Sequence, residues 1–327
     1  MKKQTNDMNI FTFKPLFKQT LWGGEQIVSF RHAEAGLHHV GESWELSSIP
    51  GSETVVAFGK YSGLTLTELT ELLGPELVGQ RCFDRFGNRF PLLIKFIDAR
   101  QDLSIQVHPN DRVAQLHGHS VGKAEMWYML KSAPGAHLRI GLKQDITPDD
   151  YRRLVDTDSI CDVINNYEVN EGDCFYLPPG CIHSIGAGCF LLEIQQGSDV
   201  TYRIYDFKRR DKDGNLRQLH TELAAEAINY DANYNPVINY TPQQNGCAEI
   251  ISCEFFHTSL CKVTGSLLLD YSNRDSFVVL VCTSGNGTIG NGEGESISIS
   301  EGDTLLVAAT ERQLTAQGHM SLIETYI

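Results

Sequence analysis

The chain has 327 residues, 41% hydrophobic and 21% charged, which suits one large or two medium globular domains and excludes disordered and fibrous classes. Its 27 basic against 41 acidic residues leave a formal charge of −14. Beyond Lys208, Arg209 and Arg210 there is no basic run, so neither nucleic acid nor an anionic membrane is an expected partner.

After Met1, Lys2 and Lys3 the sequence turns polar, and no stretch approaches a membrane span, so the expected location is the cytoplasm. Nine scattered cysteines without a Cys-x-x-Cys pair predict reduced, mostly buried thiols. In chain order, the first helical pattern covers 65–78, with Thr67 as its cap and leucines at 66, 69, 72, 73 and 77. Strand-like apolar runs lie at 91–98, 126–130, 190–194 and 276–282; two further helices are expected at 147–155, behind Pro148, and at 221–229. This rhythm of short apolar runs between Gly, Pro, Asn and Asp predicts an all-β sandwich or barrel framework with a few helical insertions.

An internal echo divides the framework in two. Glu171-Gly172-Asp173 opens a strand-turn-strand stretch ending at Glu193-Ile194, and Glu301-Gly302-Asp303 opens a similar one ending near Glu324-Thr325. Counting 12 residues on from each opening Glu reaches His183 in the first copy and Gln313 in the second, so a single active site is expected in the first half. The polar stretch 231–246, with Asn-Pro and Thr-Pro steps, marks a boundary between a catalytic domain over 1–230 and a second β domain over 231–327 without a metal site.

Three strand junctions gather the chemistry. In Ser104-Ile105-Gln106-Val107-His108-Pro109, side chains 106 and 108 of a strand project from one face. Glu125 opens a run too hydrophobic for a solvated edge, and His183 follows Pro178-Pro179-Gly180-Cys181-Ile182. Zinc accepts imidazole nitrogen and carboxylate oxygen, and one carboxylate against a divalent ion leaves a site of about +1, suited to an enediolate. On the residues alone a structural reading stands beside this one: His183 as a satisfied core histidine, Glu125 as the partner of Lys123 or Arg139, and Gln106 as an ordinary hydrogen-bonding residue.

Seven blocks in order resemble the type I mannose-6-phosphate isomerases, above all their short bacterial branch. They run from Phe13-Lys14-Pro15-Leu16-Phe17 with Leu21-Trp22-Gly23-Gly24, through Gly41-Glu42-Ser43-Trp44-Glu45-Leu46-Ser47 and Leu93-Ile94-Lys95-Phe96-Ile97-Asp98-Ala99, to Gln106-Val107-His108-Pro109-Asn110-Asp111. Gly122-Lys123-Ala124-Glu125-Met126-Trp127-Tyr128, Pro178-Pro179-Gly180-Cys181-Ile182-His183 and the stretch from Glu193-Ile194-Gln195 to Thr201-Tyr202-Arg203 complete them. The blocks cover about 11–210, while the C-terminal third resembles the family only in its general β pattern.

The resemblance implies two cupin (jelly-roll) barrels, the first catalytic, and one zinc ion per chain on Gln106, His108, Glu125 and His183. It implies interconversion of mannose 6-phosphate and fructose 6-phosphate, with a phosphosugar as the partner. Longer relatives carry a His before the Lys of the Lys-x-Glu block, where this chain has Gly122, so a ring-opening role for that His does not transfer.

Isomerisation needs a proton taken from C2 and returned to C1, and a held phosphate. Glu193, on the strand after His183, is the candidate shuttle, with a salt bridge to Arg203 as its bland alternative. Lys95, Lys123 and Arg203 are the candidate cations for phosphate or enediolate oxygens, with interchangeable roles at this stage. A non-catalytic sugar-binding or regulatory metal cupin and a metal-dependent oxygenase are the competing classes. The Gly-x-Gly-x-x-Gly string at 285–290 is expected to form hairpin turns and not a dinucleotide site, because turn and strand signals follow it.

Overall fold

The computed structural model describes residues 9–33, 36–211, 213–291 and 294–327. Strands dominate and form two units packed side by side. The first is a sandwich of two sheets. Its larger sheet has seven strands, in the order Val237–Ile238, Cys174–Leu177, Glu125–Ser132, Cys189–Gln196, Leu92–Asp98, Val40–Leu46 and Leu16–Gly24. The smaller has five, ordered Ile164–Glu168, His137–Leu142, His183–Ile185, Ile105–Val107 and Tyr202–Tyr205. Trp127, Met129 and Leu191 of the first meet Leu138, Ile140 and Ile185 of the second in one core.

Both sheets are covered on their outer faces as well. Helices Pro148–Asp156 and Thr221–Ala227 lay Tyr151, Val155 and Ala224 against Ile105, Val107 and Tyr202 of the small sheet. The large sheet turns Phe96, Met126, Leu192 and Ile194 toward Phe277, Val279, Leu306 and Ile323 of the second unit. Two-sided burial is why Leu92–Asp98 and Cys189–Gln196, buried at every position, read as continuous apolar runs and not as alternating ones. Each fully buried Leu, Ile or Phe there contributes about 1.5–3 kcal/mol.

In the second unit, strands His257–Asp270, Val278–Gly290 and Gln313–Tyr326 join Gly246–Ser252, Ser296–Ser300 and Thr304–Val307 around Leu269, Leu280, Ile289, Leu314 and Leu322. The N-terminal Ile10–Phe11 adds to this sheet by pairing with Val307 and Leu306, whereas Val237–Ile238 pairs with Phe175 and Cys174 of the first unit. Arg31 crosses the seam, pairing with Glu45 at 3.2 Å on one side and donating to Gly302 O on the other.

The helical pattern at 65–78 resolves into Leu66–Leu73 and Pro75–Val78, parted at Gly74, and a further helix, Gln80–Phe86, follows Gly79. Its cap is Thr65 and not Thr67. Thr65 accepts from the Glu68 N–H while the Glu68 carboxylate accepts from the Thr65 N–H, a reciprocal pair that needs a Glu three residues on, where Thr67 meets Thr70. The second helix is Pro148–Asp156 behind a Thr147–Asp150 box, and the third is Thr221–Ala227.

Two local expectations are corrected. The string at 285–290 does not turn but runs inside strand Val278–Gly290: a Cβ at Gly285 or Gly287 would fall 2.0 Å from His319 O or 2.1 Å from Gln317 O, so these glycines permit close strand approach. The next element is strand Ser296–Ser300, paired back on the same residues, so no helix is in place for a pyrophosphate. Of the nine cysteines, Cys247 and Cys261 lie directly opposite on two strands and are joined by a disulfide; the other seven are free thiols. No helix among the described residues is long and apolar enough to cross a membrane.

Candidate active site and metal centre

The site lies between the two sheets of the first unit and is built from two cross-strand rows. In the small sheet Gln106 stands opposite His183 on one side and Arg203 on the other. In the large sheet Glu193 stands opposite Trp127 on one side and Lys95 on the other, with Glu125 two residues before Trp127. The sandwich thus brings together the ends of chain segments far apart in sequence.

His108 and His183 are oriented by the backbone. Nδ1 of His108 lies 2.7 Å from Val200 O and Nδ1 of His183 lies 2.9 Å from Cys181 O. A carbonyl only accepts, so each Nδ1 carries the proton and each Nε2 presents a lone pair. Those Nε2 atoms lie 3.1 Å and 3.6 Å from the two oxygens of Glu125. Burial, reinforced by Lys123, pushes His108 down to about 3, and burial pushes His183 down too, so both rings stay neutral. Burial alone would raise the Glu125 carboxyl, but the adjoining Lys123 ammonium holds it well below the usual carboxylate range.

This donor set fits a metal. The ligating atoms of His108, Glu125 and His183 lie within 4.8 Å of one another, all three residues are buried, and neither Glu125 oxygen has an aligned hydrogen-bond partner. The half-buried Gln106 amide has its Nε2–H 3.3 Å from the His183 Nε2 lone pair, and rotation of the amide by half a turn would offer its carbonyl oxygen there as a fourth donor. The ammonium of Lys123 pairs with Glu125 and lies 3.3 Å from His108 Nε2, while Arg139, the other bland partner for Glu125, pairs with Asp102 at 2.8 Å.

Glu193 is not paired with Arg203. Its Oε2 is 2.6 Å from Lys95 Nζ, and its Oε1 accepts from Trp127 Nε1 at 3.0 Å. Burial and the nearby Glu125 charge push its carboxyl up to about 7 against the pull of Lys95 and Lys123. Burial works against the Lys95 ammonium, but Glu193, Glu42 and Glu125 together hold it above its ordinary range. Lys95, Gln106, Lys123, Glu193 and Arg203 all line a cavity of about 330 Å³.

At another part of its wall, Arg203, Arg217 and His220 come together. Arg203 Nε is buried without a partner, and burial and Arg217 push its guanidinium below its ordinary range. Arg209 and Arg217 both bind Asp206, two cations on one carboxylate, so this end carries excess positive charge. Arg217 and His220 were not signalled by the sequence: they sit on an irregular connection, 14 and 17 residues after Arg203. Gly122 is sterically required here, since a Cβ would lie 2.5 Å from Pro109 O; a histidine at this position needs a different backbone.

A larger cavity of about 580 Å³ at the junction of the two units, between Tyr128 and Lys262, holds none of these groups. The second cluster with ligating potential, Cys247, Cys261 and Glu324, is already committed: the sulfurs are bonded to each other and Glu324 pairs with Arg274 at 2.6 Å.

Comparison with known proteins finds likeness along almost the whole chain. Residues 10–131 match the family described as phosphomannose isomerase type I, catalytic domain, and residues 248–327 match the mannose-6-phosphate isomerase cupin domain. The likeness therefore extends into the C-terminal third, beyond the blocks that carry it in the first two thirds. Mannose-6-phosphate isomerase ManA of Bacillus subtilis is 32% identical over 96% of this chain and 98% of its own, and the mannose-6-phosphate isomerase of Streptococcus mutans is 29% identical over 96% and 98%. A crystal structure of the mannose 6-phosphate isomerase from Bacillus subtilis superposes with a TM-score of 0.88 at 28% identity, covering 98% of this chain and all of that one. With both barrels matched and full-length likeness on each side, the chain is a member of the type I phosphomannose isomerase family.

Proposed function

We propose that the protein interconverts mannose 6-phosphate and fructose 6-phosphate, holding one zinc ion on His108, Glu125, His183 and Gln106. The observation that carries this reading is the pair of imidazole Nε2 lone pairs, fixed by backbone carbonyls, aimed at a buried carboxylate that has no aligned hydrogen bond. Bound there, a divalent ion supplies the positive charge that lowers the cost of an enediolate.

The chain's own groups do the rest. Glu193 takes the proton from C2 as the electron pair forms the C1–C2 double bond and the C1 carbonyl oxygen gains charge. The hydroxyl proton on the C2 oxygen passes to the C1 oxygen, and as the C2 carbonyl forms, the double bond takes back the proton from Glu193 at C1. Lys95 holds Oε2 of Glu193. Lys123, beside Glu125 and lining the cavity, faces substrate oxygens near the ligands. The phosphate belongs at the Arg203 and Arg217 end, where positive charge is in excess and Arg203 Nε lacks a partner. Every group so used lies within residues 1–230, and the second unit, built mainly from 246–327, serves as the barrel packed behind the large sheet. A sugar-binding protein without catalysis has no use for a buried glutamate lining the cavity and held between an ammonium and an indole N–H.

The test is a coupled assay for fructose 6-phosphate from mannose 6-phosphate on purified protein, with metal analysis, before and after chelation. Activity lost on chelation, restored by zinc, at one ion per chain is the expected result. Activity indifferent to chelation overturns the metal, and no activity in any metal state overturns the reaction.

A further inference from the structure

We infer that Trp127 is a positioning residue: its indole N–H pins Oε1 of Glu193 so that Oε2 is the oxygen presented to the reacting carbons. This rests on the reading of Glu193 as the proton shuttle. Trp127, Glu193 and Lys95 form one row over three adjacent strands, each directly opposite the next. The two oxygens of Glu193 have separate holders, Trp127 Nε1 at 3.0 Å from Oε1 and Lys95 Nζ at 2.6 Å from Oε2.

The two holders differ in kind. Trp127 is 0% exposed, and an indole has one donor and no acceptor, so the carboxylate is what satisfies its N–H. Its ring stands edge-on to His183, with centroids 5.4 Å apart at 80°. The donor is therefore part of a rigid, wedged ring, whereas Lys95 ends a flexible chain. Lys95, the holder of Oε2, lines the cavity and Trp127, the holder of Oε1, does not, so Oε1 is held from the core side and Oε2 from the cavity side. Oε2 is buried, and a carboxylate oxygen has two lone pairs, so beside Lys95 it keeps one for a proton from carbon. A shuttle that serves two adjacent carbons has to keep that lone pair within reach of both, and a carboxylate free to rotate would not.

The second barrel offers a natural contrast. At the matching row, Leu280 and Ser259 stand opposite Glu324, which has no indole beside it and is tied to Arg274.

Trp127→Phe keeps a ring and removes the donor. In the zinc-loaded enzyme kcat is expected to fall about 10- to 100-fold, with KM and zinc per chain unchanged. Because Trp127 acts through Glu193, adding W127F to E193Q should cost nothing further, whereas a general packing role would multiply the two losses. A kcat within twofold of the parent, or losses that multiply, overturns the positioning role. Near-normal turnover in E193Q alone overturns the shuttle reading beneath it, whatever W127F does. If W127F binds less zinc or melts earlier, Trp127 is replaced by its benzothienyl analogue, the same shape with sulfur for N–H. Lower kcat in that protein supports the role, and unchanged kcat overturns it.

Discussion

The two barrels share a glutamate at the same place on the same strand, Glu193 in one and Glu324 in the other, and surround it differently. Glu193 stands opposite Trp127 and Lys95; Glu324 stands opposite Leu280 and Ser259. Glu125 pairs with Leu177, and at the corresponding pairing with Val307 the second barrel has Val278. His183 gives way to Gln313. Where the first barrel carries Glu125, Lys95 and His183, the second thus carries Val278, Ser259 and Gln313, and its interior is filled with Leu280, Leu305 and Leu322. Its remaining buried carboxylate still needs a counter-charge, and Arg274, lying over the Tyr326 and Tyr271 rings, provides it. One fold therefore tolerates either a reactive or an inert interior, provided each buried charge is answered.

The sharpest way to break this comparison is to neutralise each glutamate in turn. E193Q should keep its zinc and lose turnover by about 100-fold or more, since it removes an acid–base group; E324Q should leave kcat and KM unchanged. Equal losses of turnover would mean that the barrels are not functionally distinct. On stability both variants should lose, since each leaves a cation short of its counter-charge: E193Q strands the buried Lys95, and E324Q, whose partner Arg274 is partly exposed, should cost about 1–3 kcal/mol, read from the denaturant midpoint.

The disulfide sharpens the contrast further, because it lies only in the second barrel. Cys247→Ser should lower stability by about 3 kcal/mol in oxidising buffer, as expected for cysteines 14 residues apart, and a reductant should bring the parent down to the level of the variant without changing turnover.

The smallest effect is expected at the seam. Burial pushes Glu45 up to about 7 despite Arg31 and Ser43, so between the usual carboxylate value and 7 the folded chain keeps a proton that the unfolded chain has lost. Stability should therefore fall as pH rises through that window, by on the order of 2 kcal/mol, and level off above 7. In E45Q this slope should flatten; an unchanged slope would assign it elsewhere.

Much of the site was legible before any fold. The four candidate donors lie in short strand segments in which alternation, a Pro-Gly turn and an abrupt polar residue are local signals, and the resemblance to the family is what joined them into one proposed ligand set. Thr147 with Pro148 announced a helix for the same reason. Other features were mislocated where two local readings compete: Thr67 against Thr65 as a cap, and turns against close strand approach at Gly285 and Gly287.

The sequence by itself thus determined the strand-rich framework, its internal echo and the candidate donors, all properties of neighbouring residues. Tertiary structure alone decided that Trp127, Glu193 and Lys95 share a row, that Glu193 pairs with Lys95 and not Arg203, that Arg217 and His220 join Arg203 at the cavity wall, and that Cys247 meets Cys261. The physical reason is register. Which residues of distant strands stand opposite is set by how the sheets bury their faces and close on one another, and one residue of slip would turn every one of those side chains away.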